Sequence, residues 1–226
     1  MEHLPIYIPV LFIITTLFAA ALLFKAGHYA KSLIIASLVW LALKAATGLS
    51  GFYLTSSGVP PRFALLLIPP VLVIASLFFT KQGRLFINGL DAKTLTLIHI
   101  VRIPVELTLY WLFLHKAVPE VMTFEGRNFD IFCGITAPVV YYFGYVKNAL
   151  GRGILLGWNI ICLLLLFNIV VTAVLSAPFD FQKLGLGQPN IALFYFPFIW
   201  LPCFVVPVAL FAHLASISKI ITNKNS

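Results

Sequence analysis

Long apolar runs separated by short polar links are the dominant pattern of this chain. Seven runs predict helices at 6–24, 32–52, 63–79, 95–115, 129–145, 154–175 and 191–217. Each is close to the roughly 20 residues that cross about 30 Å of hydrocarbon. The links carry turn chemistry, as in "SSGVPPR", "KQGRLFINGLDAK", "NALGRG" and "LGLGQPN". Residues 84–95 are too few and too polar to cross, and predict a short helix along the membrane interface. The first run has small residues near position 20, like a signal peptide, but no Lys or Arg precedes Lys25. A retained helix is expected.

Composition gives this pattern its solvent. Of 226 residues, 61% are hydrophobic and 10% charged, with a mean hydropathy of +1.03. A soluble domain carries about 25% charged residues, so this chain cannot cover itself with a polar surface. The reading is an all-α, polytopic integral membrane bundle of seven helices in one transmembrane domain, residues 1–226.

Charge sets the orientation. Nine basic residues (Lys25, Lys31, Lys81, Arg84, Lys93, Lys147, Arg152, Lys219 and Lys224) fall on one side, against four (Arg62, Lys116, Arg127 and Lys183) on the other. Basic residues stay cytoplasmic, which places the N-terminus outside and the C-terminus inside a bacterial-type inner (plasma) membrane. Of the acids in the connections, Glu2, Glu120, Glu125, Asp130 and Asp180 lie outside and Asp91 inside. The net charge of +8 is accounted for by topology and anionic lipid, and no nucleic-acid partner is expected. Seven spans with an outward N-terminus resemble the rhodopsins in topology. The last predicted span holds no lysine, however, so no retinal linkage is implied.

Cysteine use is sparse. Cys133, Cys162 and Cys203 fall in three spans without CxxC spacing, and read as buried apolar thiols at different depths.

The stretch "HIVRIPVELTLY", residues 99–110, breaks the apolar rule. At 100° per residue, His99, Arg102, Glu106 and Tyr110 share one face within about 80°. A charge facing lipid at the bilayer centre costs at least roughly 2.5–3.5 kcal/mol, so this stripe must face protein or water. Lys44 lies at a matching depth in the second span, and the expectation is that Lys44 or Arg102 pairs with Glu106. One positive charge is then left over, to be met by Asp130, by a bound anion or by loss of a proton. Tyr141, Asn168 and His213 are further polar candidates. Asn159 and Asn168 lie on different faces of the sixth span, so one site admits only one of them. His213 is expected near the headgroups, hydrated and idle. Prolines in the third and seventh spans (Pro69, Pro70, Pro197, Pro202 and Pro207) predict broken helices.

Three functions compete. One is a carrier of a small anionic solute or of protons, with Lys44 and Arg102 binding the anion and Glu106 or His99 exchanging a proton. Another is a receptor or accessory subunit whose charged pair only holds the bundle together. The third is an intramembrane redox protein with haem b between His99 and His213. Sequence signatures such as HExxH and GxSxG are absent, which speaks against an enzyme.

Overall fold

The structure is a computed structural model and describes residues 4–54 and 62–222. The charges assigned to Glu2 and Lys224 lie outside the described residues. The elements are α1 (Tyr7–Ala26), α2 (Lys31–Leu49), α3 (Ala64–Phe79), α4 (Lys81–Gly89), α5 (Ala92–Leu114), α6 (Ile131–Val146), α7 (Arg152–Leu175) and α8 (Leu201–Thr222). No strand occurs among the described residues. Five helices, α1, α2, α5, α7 and α8, are long and apolar enough to cross a membrane, and α3 with α4 makes a sixth if that bent pair counts as one span. The α6 helix is apolar but shorter.

Local chemistry explains where the helices break. α4 turns 93° away from α3 because Thr80 leaves helical geometry and caps the next helix, its hydroxyl accepting from the Gly83 amide at 3.1 Å. Gly83 is required there, since a Cβ would run into the Leu77 backbone. Asp91 caps α5 through the amides of Lys93 and Thr94. Within α5 the turn at His99–Val101 tightens to 3-10 geometry. It lies just upstream of Pro104, which has no N–H to offer the Ile100 carbonyl.

The seventh predicted span needs correction. Helix begins at 201 rather than 191. The amides of Ile191 and Ala192 are taken by the Ala117 carbonyl, and that of Asn190 by Ser176. Pro197 offers no donor, and Phe194, Phe198, Ile199 and Trp200 pack inward as an irregular plug. Non-helical backbone at this depth is tolerated because protein, not lipid, surrounds it.

α5 is the hub of the bundle, packed against α1, α6 and α8, while α8 also contacts α7 and α3. The connections sort to two ends. At one, His28 after α1 bonds the Gly89 carbonyl, the Asp91 amide donates to Ala26, and Lys219 of α8 donates to Asn88 and Leu90. At the other, Gln188 donates to the carbonyls of Phe113 and Val118, Asn190 donates to Ala173, and Phe63 packs on Phe179 and Phe194.

Candidate functional site

Four helices and one loop converge on Arg102 of α5. Its guanidinium forms a salt bridge with Asp130, donates to His213 Nε2 at 3.1 Å, and reaches the Cys162 carbonyl at 3.4 Å. Asp130 stands at the N-cap position of α6 but caps nothing, because its carboxylate is turned to Arg102. Its own amide donates to Asn128 Oδ1 at 3.1 Å, a local turn of the kind Asn favours. Gly134, one turn further on, lets α6 approach: a Cβ there would meet Ile103 Cγ1 at 2.8 Å and the Ile103 amide at 3.1 Å.

The tautomer of His213 follows from its partners. Arginine only donates, so Nε2 accepts. Nδ1 therefore carries the proton and donates to Asn159 Oδ1 at 2.9 Å, while the Asn159 amide donates to Leu155. His99 stacks on His213 with ring centroids 3.7 Å apart and planes 13° apart. Trp158 sets its ring edgewise against both. His99 is 0% exposed, and among the described residues neither ring nitrogen has a hydrogen-bond partner. Cys133 Sγ lies 3.8 Å from His213 Nε2.

Glu106 sits apart from the ion pair. Both of its oxygens receive the Asn128 amide, at 2.6 and 2.7 Å, and that amide also donates to the Met122 carbonyl. It has no salt bridge among the described residues.

Several expectations are thereby corrected. Arg102 pairs with Asp130, not Glu106, because the loop before α6 folds inward and delivers the carboxylate. Lys44 does not join Glu106 either. Its ammonium donates to the Tyr53 hydroxyl at 3.2 Å and the Leu65 carbonyl at 3.1 Å, and lies 4.5 Å from the centroid of the Trp40 ring. His213 is fully buried rather than hydrated at the surface. Tyr110 is half-buried beside Phe124, and Tyr141 is half-buried without a bond to the cluster. Asn168 donates to the Arg127 carbonyl on the exposed side, so Asn159 is the asparagine that faces the site.

His99 and His213, considered above as haem ligands, lie face to face. Axial histidines stand on opposite sides of a porphyrin, so haem between these two rings would require the stack to open. Asn128 and Trp158 were missed by sequence reasoning; the Asn-Phe-Asp spacing was the only local hint of the former.

Neither of two cavities found among the described residues is lined by a residue of this cluster. The larger, about 320 Å³, lies between α2, α3 and α8 and is lined by Leu33, Trp40, Pro69, Pro70, Cys203 and Pro207 among others. The smaller, about 40 Å³, is apolar and includes Leu109 and Met122.

No family model, curated protein or solved structure matches this chain. The fold and site define an all-helical protein, with helices able to cross a membrane, built around a buried Arg–Asp–His–Asn cluster.

Proposed function

We propose that the protein is a seven-span membrane carrier, N-terminus outside and C-terminus cytoplasmic, for an acidic amphiphile held in the cleft between α2, α3 and α8. The observation that carries this reading is Lys44, a buried ammonium whose partners are a phenol, a carbonyl and an indole face. None of them is an anion. A buried cation without a counter-charge is costly, and a carboxylate or phosphate head would supply one. Trp40, under Lys44, forms part of the cleft wall. The cleft volume falls within the range of about 300–1,000 Å³ found for small-molecule sites, and its lining is almost wholly apolar, which suits an acyl chain rather than a water-soluble anion.

Seven spans follow if the two 16-residue helices α3 and α6 each cross. Sixteen helical residues reach about 24 Å, short of about 30 Å but within what local bilayer thinning accommodates. In this reading α4 lies along the cytoplasmic interface. The proton-coupled form of the carrier rests on Glu106, whose carboxyl has an amide for company and no cation.

A second reading, that the charged residues only hold the bundle, is favoured by the closure of the Arg102 cluster: Asp130, His213 and Asn159 are all bonded within it.

Thermal stability tests the proposal. A single-chain fatty acid or lysophosphatidic acid should raise the melting temperature of the wild type by mass action. An uncharged ester of the same chain should not, nor should acetate or inorganic phosphate. Lys44→Gln, which keeps a donor and loses the charge, should abolish the shift. An equal shift in that variant removes Lys44 from the site. No shift with any amphiphile leaves the scaffold reading.

A further inference from the structure

We infer that His99, His213 and Cys133 form a binding site for one copper(I) ion, independent of the amphiphile cleft. The donor atoms of these three buried residues all lie within 4.8 Å of one another. Metal–donor bonds of about 2.0–2.3 Å put the donors of a three-coordinate shell about 3.5–4 Å apart, so the cluster has up to about an ångström to close.

Two features point to a ligand rather than to packing. His99 is wholly buried with both ring nitrogens unpartnered, which is expensive unless something binds them. His213 donates its Nδ1 proton to Asn159, which leaves Nε2 the basic nitrogen; its lone pair accepts from Arg102 at 3.1 Å, with Cys133 Sγ 3.8 Å away. A carbonyl behind one ring nitrogen, leaving the other basic, is the usual support for a metal-bound histidine.

Charge selects the ion. Arg102 and Asp130 cancel, and the two imidazoles count as neutral ligands. When copper(I) binds, the Cys133 thiol proton leaves to water, a Cu–S bond forms, and no electron moves. The buried charge is unchanged. A zinc(II) ion at the same ligands would leave one net positive charge on buried groups. Thiolate and imidazole are also the soft donor set that suits copper(I).

The geometry names the part that moves. A metal lies in the plane of each imidazole that ligates it, and planes 13° apart cannot share one. His99 turns, because no hydrogen bond holds it. Arg102 passes its His213 hydrogen bond to the new thiolate and keeps Asp130.

The test is a titration of the full-length protein, purified anaerobically in detergent under reducing conditions, with copper(I) against a chromophoric copper(I) chelator. The wild type should withdraw one equivalent and gain ultraviolet thiolate-to-copper absorption. His99→Leu, which removes no hydrogen bond, and Cys133→Ser should each weaken binding about tenfold or more. Cys203→Ser, outside the cluster, should leave it unchanged. His99→Leu decides the matter if Cys133→Ser fails to fold. The assignment is overturned if the wild type cannot compete, if His99→Leu binds as tightly as wild type, or if zinc(II) displaces copper(I) stoichiometrically.

Discussion

Lys44 Nζ donates at 3.1 Å to the carbonyl of Leu65, the oxygen that Pro69, four residues on, leaves without a helical donor. The same device recurs one turn away on α2. Pro207 strips the donor from the Cys203 carbonyl, and the Trp40 indole supplies one at 2.9 Å. One face of α2 thus mends two proline breaks, in α3 and in α8, which explains a lysine and a tryptophan one turn apart better than a charged pair with Glu106 does.

Pro69→Ala restores a helical donor to Leu65. In that background Lys44→Met should lose less stability than in the wild type. The single Lys44→Met change, which leaves a buried carbonyl unpaired, should cost about 1–3 kcal/mol. Thermal unfolding of the four members of the double-mutant cycle measures the coupling, and strict additivity would show that the lysine does not serve that carbonyl.

Asp130→Asn removes the negative partner of Arg102 while leaving the guanidinium buried. The expected loss approaches the 3–5 kcal/mol (about) seen for one-sided breaks of buried pairs, reduced by alternative partners within the bundle. Arg102→Met with Asp130→Leu should recover most of it. The residue is the cost of stripping His213 Nε2 of its donor. Wild-type-like melting of Asp130→Asn would mean that the pair carries no weight.

Glu106→Gln behaves differently. Its carboxyl faces an amide and no cation, and glutamine keeps an acceptor for Asn128. The expected cost is at most about 1 kcal/mol, well below that of Asp130→Asn. A larger loss for Glu106→Gln than for Asp130→Asn would reverse the assignment of partners.

Asp91 gives the fold a pH dependence outside the membrane helices. Burial pushes its carboxyl up, but the Thr94 hydroxyl and the Thr94 and Lys93 amides outweigh this and hold it below its usual value of 3.8. A lowered folded-state pKa means stability that is present above the unfolded value and lost as pH falls through the folded one. Asp91→Ala should therefore cost about 1 kcal/mol near neutrality, the worth of a helix cap. The difference from wild type should shrink below pH 3.8. A gap in melting temperature that persists in strong acid would assign the effect to something other than the ionised cap.

Orientation has its own test. Asn148 and Lys183 are both exposed and lie in connections read as opposite sides of the membrane. In intact cells, and on a background lacking the native cysteines, Lys183→Cys should react with a membrane-impermeant thiol reagent and Asn148→Cys should not. The reverse pattern would invert the topology.

The sequence by itself determined what depends on neighbours along the chain. Hydropathy marked the helices long and apolar enough to cross a membrane, because a run of about 20 apolar residues matches the hydrocarbon thickness. Helical periodicity put His99, Arg102 and Glu106 on one inward face. Partner choice escaped it. The nearest opposite charge to Arg102 in sequence is Glu106, four residues away, yet its partner is Asp130. That pairing depends on Asn128 folding the loop inward and on Gly134 admitting α6 to within contact of Ile103. Likewise the stack of His99 on His213 joins residues 114 positions apart, and the axial rotation of α8 against α5 brought them together. Only the tertiary structure decided such meetings, because a rotation of one helix about its axis costs nothing in local pattern and changes every partner it presents.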